Sequence, residues 1–332
     1  MSLIKVAAVY RQGRARTGVS SYAERLKKAV AGEVNIQFFS KPPETGFDLI
    51  HLIDVKSARI KDVMNKPVPV IADLHDYYWA EYRFFWSIDA PLRWLFQKSR
   101  KSRYQKILNS ASAVIVHSRA VSRYVLNPKV FLVPIAIEYE KLYADPAQPR
   151  EPVILLVGRD DWRKGLGTLI SALRLVRKDF PGYEFRAEII GDEYVHGKIM
   201  GKILSRGLNV KFISGMDFEQ LIPRYQGSMI IYLGSWQEGF GLSLAEGMAG
   251  GCIGVGSNVG GIPEVIEDGR TGILFTPGEK LELAAKIQAV LENDEMRIEI
   301  ARRGQRFVKE NLSLEKMREA LLKAYEEVLK RG

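Results

Sequence analysis

Cysteine is nearly missing from this chain of 332 residues, where Cys252 stands alone. One cysteine allows no internal disulfide and no cysteine zinc cage, which excludes a disulfide scaffold and a zinc ribbon. No apolar run approaches the length of about 20 residues that spans a bilayer. The opening Met1-Ser2-Leu3-Ile4-Lys5-Val6-Ala7-Ala8-Val9-Tyr10 reads as a first strand and lacks the longer apolar stretch of a signal peptide. The expected compartment is therefore the cytoplasm. The fingerprint G-x-G-x-x-G follows neither Val9 nor Val157, and no P-loop occurs, which argues against a dinucleotide dehydrogenase and a P-loop enzyme. There is also no Asp-x-Asp pair and no histidine cluster along the sequence, so no metal site is expected.

What is present is globular. Hydrophobic residues at 46% and charged residues at 27% leave no case for disorder. The length suits two domains of ordinary size. The net charge of +10 is unevenly spread: residues 1–150 carry 24 Lys and Arg against 13 Asp and Glu, the remainder 25 against 26. An anionic partner for the first half fits this asymmetry, and so does a solvated basic surface.

Residues 1–148 alternate short β-type runs (Leu3–Tyr10, Val34–Phe39, Asp48–Ile53, Val68–Leu74, Ala113–His117) with helical patterns (Ser20–Ala31, Leu92–Asn109, Arg119–Leu126). Continuous Val/Ile/Leu runs separated by helices predict a parallel sheet buried on both faces. Three prolines within Asp145–Pro152 mark a linker. The alternation then restarts with strands at Val153–Val157, Phe185–Ile190, Val210–Ile213, Met229–Leu233, Ile253–Val255 and Ile273–Phe275, before a helical tail over Glu279–Arg331. The expected organisation is a first α/β domain over 1–148, a second over 149–312, and a closing helix over 313–332 that packs back on the first. Two such domains leave a cleft, and open parallel sheets bind ligands at the carboxyl ends of their strands.

The densest chemical signal is Glu238-Gly239-Phe240-Gly241-Leu242-Ser243-Leu244-Ala245-Glu246, which follows an apolar strand and opens a helix. Glycines at such a turn admit a phosphate close to the backbone, and the helix start offers free N–H groups. Ser243-x-x-Glu246 also has the spacing of a capping box, so Glu246 has two readings. A second cluster, Val157-Gly158-Arg159-Asp160-Asp161-Trp162-Arg163-Lys164-Gly165, ends the second domain's first strand. The planar fork of an arginine and the point charge of a lysine suit a diphosphate, although loop cations are commonly just solvated. A third piece, Gly260-Gly261-Ile262-Pro263-Glu264, is another glycine turn with a proline at a helix start.

Taken together, Gly158-Arg159…Lys164-Gly165, Glu238-x7-Glu246, Gly260-Gly261-Ile262-Pro263-Glu264 and Thr271-Gly272-Ile273-Leu274-Phe275 closely resemble the retaining family 4 glycosyltransferases of the GT-B fold. The resemblance covers residues 151–275 specifically and residues 1–150 more loosely. It implies two Rossmann-like domains facing a central cleft, and a nucleoside-diphosphate-sugar donor such as a UDP- or GDP-sugar, with no bound cofactor. It further implies that Arg159 and Lys164 hold the diphosphate and that backbone groups of Phe240, Gly241 and Leu242 complete that site. Glu238 would contact the donor sugar and Glu246 the ribose. His75, at the end of a strand-like run, would face the sugar from the first domain, Gly18 would lie near the phosphates, and Ser118 would line the same cleft. Two departures stand out: Pro134-Ile135-Ala136-Ile137-Glu138 replaces the family's usual interdomain turn, and Asp161-Trp162 is unusual in the basic loop.

The acceptor is less legible. Arg11, Arg14 and Arg16 crowd the first loop, and Trp94–Lys106 holds five basic residues and no acidic one. At helical spacing Ile88, Leu92, Leu95 and Phe96 share a face opposed to Trp94, Lys98 and Lys101. Such a segment suits an anionic membrane surface or a phosphorylated or lipid-linked acceptor, or it is a core helix with a charged outside. A nucleotide-sugar epimerase or phosphorylase is the nearest alternative enzyme. Nucleic-acid binding is disfavoured, because the motifs lie in the half without excess positive charge.

Overall fold

The computed structural model describes residues 3–10, 18–77, 79, 90–158, 162–182, 184–191 and 195–330. It divides into two units, one of Met1–Ala80, Leu92–Ala136 and Asn311–Gly332, the other of Glu81–Pro91 and Ile137–Glu310.

The first unit holds β1 (Ile4–Val9), α1 (Gly18–Ala29), β2 (Val34–Phe39), β3 (Leu49–Leu52), β4 (Val70–Leu74), α2 (Ala90–Ser99), α3 (Lys101–Ser110), β5 (Ala113–Val116), α4 (Arg119–Ser122) and β6 (Val130–Leu132). The six strands form one parallel sheet in the order β2-β1-β3-β4-β5-β6. Every residue of β3, β4 and β5 is buried, the signature of a sheet covered on both faces. Asp73 and His51 are therefore polar groups enclosed in apolar strands, and burial without a partner would be costly.

The second unit begins at α5 (Tyr139–Leu142) and continues with β7 (Glu151–Val157), α6 (Leu166–Asp179), β8 (Arg186–Ile190), α7 (Val195–Leu204), β9 (Val210–Ile213), α8 (Phe218–Gly227), β10 (Ser228–Leu233), α9 (Leu242–Ala249), β11 (Ile253–Ser257), β12 (Ile273–Phe275), α10 (Lys280–Glu292) and α11 (Asp294–Asn311). Its strands make a second parallel sheet in the order β12-β11-β10-β7-β8-β9. β7 and β10 are neighbours, so the turns that follow them stand side by side.

The last helix, α12 (Leu314–Leu329), belongs to the first unit, where it packs on α1 and buries Met317, Leu321, Ala324, Tyr325 and Val328. Cations satisfy carbonyls left open near helix ends: Arg318 Nε donates to Ala29 O at 2.7 Å, and Lys129 Nζ donates to Glu327 O at 2.8 Å.

Two expected helices are shorter or broken. The run expected over Leu92–Asn109 is two helices parted at Arg100, where Ser99 Oγ donates to Phe96 O at 2.8 Å, a local bond that competes with the helical ladder. The helix expected to reach Leu126 stops at Ser122. The apolar face of α2 is not in a core: Leu92, Leu95 and Phe96 are 69%, 54% and 50% exposed, which removes the reading of α2 as a core helix.

Candidate active site

In the second unit, the turn after β7 and the turn after β10 are tied together by four bonds. Trp236 N donates to Arg163 O at 3.0 Å, and Arg163 returns a bond from its guanidinium to Gln237 O at 2.6 Å. The buried Tyr232 hydroxyl donates to Gly165 O at 3.0 Å. Lys164 Nζ then reaches Glu238 Oε2 at 3.4 Å, both side chains 13% exposed. Lys164 can lie there because Gly158 has no side chain: a Cβ at that position would sit 2.4 Å from Lys164 Cε.

Glu238 is held from several directions. Ser235 Oγ donates to the same Oε2 at 3.1 Å, and Ser257 Oγ fixes the Ser235 carbonyl at 2.6 Å. The Gly260-Gly261 turn backs the site, with Gly261 N donating to Glu238 O at 3.0 Å and no room for a Cβ at Gly261, which would meet Gly239 O at 2.4 Å. Burial alone would raise the Glu238 pKa, but the charges of Lys164 and Arg163 and the bonds from Ser235 and Lys164 outweigh it, so the carboxylate titrates below its usual range.

Helix α9 begins directly behind this pair. Gly241 is its N-cap in the left-handed region, φ 97°, and no side chain caps it. Because the cap is Gly241, Ser243 already lies inside the helix, and Ser243-x-x-Glu246 is not a capping box. Glu246 instead is buried within α9 and accepts from the Tyr225 hydroxyl at 3.0 Å. Phe240, Gly241 and Leu242 occupy the turn and first helical position, where the uncapped amides carry the positive end of the helix dipole.

Of the remaining expected residues, Arg159, Arg11, Arg14 and Arg16 lie outside the described residues. Gly18 is the first residue of α1. Ser118 is buried and acts as N-cap of α4, accepting from Val121 N at 3.3 Å. His75 follows β4, and its Nε2 donates to Ile53 O at 2.6 Å.

Histidines scattered along the chain do cluster in space: His75 stacks on His117 at 4.6 Å between ring centroids, and both lie against Tyr22. They converge because β4 and β5 are adjacent parallel strands and each ends in a histidine, His117 directly after β5 and His75 directly after β4. His51, to which the sequence assigns no role, joins Asp73 at 2.7 Å and Tyr325 at 2.8 Å. Sequence reasoning also passes over Ser235, Arg163 and Tyr225. Arg163 was within reach as a basic neighbour of Lys164, whereas nothing local marks Tyr225 as the partner of Glu246.

The model of the family described as Glycosyl transferases group 1 matches residues 141–307, half of the chain, and the chain belongs to that family. An uncharacterized glycosyltransferase of Methanocaldococcus jannaschii is 28% identical over 175 residues, 52% of this chain and 48% of that protein. A D-inositol 3-phosphate glycosyltransferase of Corynebacterium kroppenstedtii is 31% identical over 153 residues, 44% of this chain and 34% of that protein. The chain thus matches less than half the length of these curated relatives. Sucrose-phosphate synthase from Thermosynechococcus elongatus superposes with a TM-score of 0.80 at 20% identity, over 99% of this chain and 100% of that one. Anabaena HepE, solved in complex with UDP and glucose, does so with 0.77 at 17% identity, over 98% and 100%. At these identities the likeness is one of fold, and that fold is GT-B with its two Rossmann-like parallel sheets.

Proposed function

We propose that the chain is a retaining glycosyltransferase that takes a sugar from a nucleoside-diphosphate donor through residues 149–312, while residues 1–148 serve the acceptor. The carrying observation is the Lys164–Glu238 pair beside the uncapped start of α9. Breaking the bond from the anomeric carbon to phosphate oxygen leaves negative charge on the diphosphate and positive charge on the sugar ring. Lys164, with Arg159 and the α9 amides at Phe240–Leu242, stabilises the leaving group, so no metal is needed at the diphosphate. Glu238 meets the sugar and Glu246 the ribose. Family membership and the UDP complexes of HepE support a nucleoside-diphosphate-sugar donor, a UDP- or GDP-sugar.

The test is thermal stability against UDP, GDP, ADP and their sugars. A ligand that binds only the folded state adds about 2.7 kcal/mol at a concentration of 100 Kd. One diphosphate should raise the melting temperature of the wild type and not of Lys164→Ala; no response to any of them would defeat the reading. Retention is read from the anomeric proton of the product by NMR.

For the acceptor, α2 favours a membrane-borne anionic substrate. Its exposed Leu92, Leu95 and Phe96 adjoin Lys98, Arg100 and Lys101, and the Arg100 guanidinium lies 3.8 Å from the Phe96 ring centroid. No helix among the described residues is long and apolar enough to cross a membrane. Co-sedimentation with anionic but not zwitterionic liposomes, lost in Leu95→Glu, is expected; equal recovery with both lipids would remove this part.

A further inference from the structure

The carboxyl ends of β4 and β5 bring one carboxylate and two imidazoles together. One ligating atom from each of Asp73, His75 and His117 lies within 4.8 Å of the others. The hydrogen bonds of each group fix which of its atoms keeps a lone pair. His75 Nε2–H donates to Ile53 O, which leaves Nδ1 as a lone pair. His117 Nδ1–H donates to Val133 O at 2.9 Å, which leaves Nε2 as a lone pair. Asp73 Oδ1 accepts from His51 Nε2–H, and His51 Nδ1 in turn accepts from the Tyr325 hydroxyl. Asp73 Oδ2 and His117 Nε2 are buried, and among the described residues neither has a hydrogen-bond partner. The Tyr22 hydroxyl, buried beside both histidines, brings one proton. One O–H cannot serve three acceptors, and an unserved buried acceptor costs about 1–3 kcal/mol.

The geometry points to a binding site for a first-row divalent cation of the Zn2+ type, held by Asp73, His75 and His117. Imidazole nitrogens with one carboxylate suit Zn2+ and its neighbours rather than Mg2+, which prefers oxygen. Ligating histidines commonly donate their second N–H to a carbonyl or carboxylate, and both His75 and His117 donate theirs to backbone carbonyls. The remaining Asp73 oxygen is anchored by His51 and Tyr325, so an outer layer of support is already in place. Metal–ligand bonds of about 2.0–2.2 Å put tetrahedral ligands roughly 3.4 Å apart, so the ion closes separations of up to 4.8 Å by about 1.4 Å at most. Three protein ligands leave a fourth position open to an oxygen, the class of atom that water or a sugar hydroxyl supplies. The site uses first-unit residues only and stands whether or not the donor reading does.

Chelator-treated full-length protein titrated with Co2+ should bind one equivalent per chain with visible ligand-field absorption, and Zn2+ should displace it and raise the melting temperature. His117→Ala should abolish the absorption, Asp73→Asn should weaken binding at least tenfold, and His51→Gln about tenfold through its support of Asp73. His196→Ala, the remaining histidine, should bind like the wild type. Circular dichroism checks each fold, and His75→Ala replaces His117→Ala if that variant does not fold. Absence of saturable Co2+ or Zn2+ binding in the wild type overturns the inference, as do variants of the three ligands that bind as the wild type does.

Discussion

Lys164 Nζ lies 3.4 Å from Glu238 Oε2, a pair 74 residues apart in the chain. They meet because β7 and β10 are neighbours in one parallel sheet, so that the turns after both strands emerge at the same edge. Each is only 13% exposed, and neither charge would be stable there without the other or a substitute for it. A diphosphate is such a substitute for Glu238 as the partner of Lys164.

Lys164→Ala should therefore lower turnover by about 10²–10³, the typical loss on removing one stabilising group from a developing anion. Arg163 remains beside Glu238, so the melting temperature should change little. Near-normal turnover at an unchanged melting temperature would remove Lys164 from the site.

The acid response follows from the sign of the Glu238 shift. Its folded-state pKa is depressed, so the pair's stabilisation is present above the ordinary glutamate range of about 4.3 and is lost as pH falls through the depressed value. Glu238→Gln should be less stable than the wild type at pH 7, with the gap narrowing as pH falls below the ordinary glutamate range. Melting curves across that range check it. A gap that stays constant with pH would mean that the carboxylate charge contributes nothing.

Glycines should separate strain from function. Gly269 has φ 70° with open space where a Cβ would go, so Gly269→Ala meets only the left-handed penalty of about 1–2 kcal/mol. Gly165 has φ 87° and its Cβ would lie 2.2 Å from Gly234 O, a backbone atom that cannot swing aside. Gly165→Ala should lower the urea midpoint at least twice as far and also weaken diphosphate binding, because the Lys164 loop hangs from it. Equal midpoints for the two variants would contradict the packing.

Cys252 should be inert. Its thiol donates to Tyr225 O at 3.0 Å and Ser228 O at 3.2 Å, and burial pushes its pKa up to about 12. Iodoacetamide at pH 8 should label the native protein no faster than it unfolds, and label it fully in urea. Rapid stoichiometric labelling of the native state would show the thiol to be accessible.

Much of the fold was legible because strand-forming runs are local. Val34–Phe39, Val210–Ile213 and Ile273–Phe275 begin and end where apolar β-type residues do. The break at Arg100 was not legible, since a side-chain bond from Ser99 to the Phe96 carbonyl leaves no mark on the hydrophobic period. Likewise Ser243-x-x-Glu246 has the spacing of a cap, and only the left-handed backbone at Gly241 shows that the helix starts earlier.

Residue order alone determined the two α/β repeats, the glycine turns and the family, because these are properties of short stretches read one after another. Pairing across the sheets was decided by the tertiary structure: which turn faces Lys164, which hydroxyl reaches Glu246, and which histidines share Asp73. Strand order in a parallel sheet joins segments that are distant in the chain, and a side chain's charge and proton depend on that neighbour. His117 looked idle on its own strand, and its place beside His75 comes from the adjacency of β4 and β5.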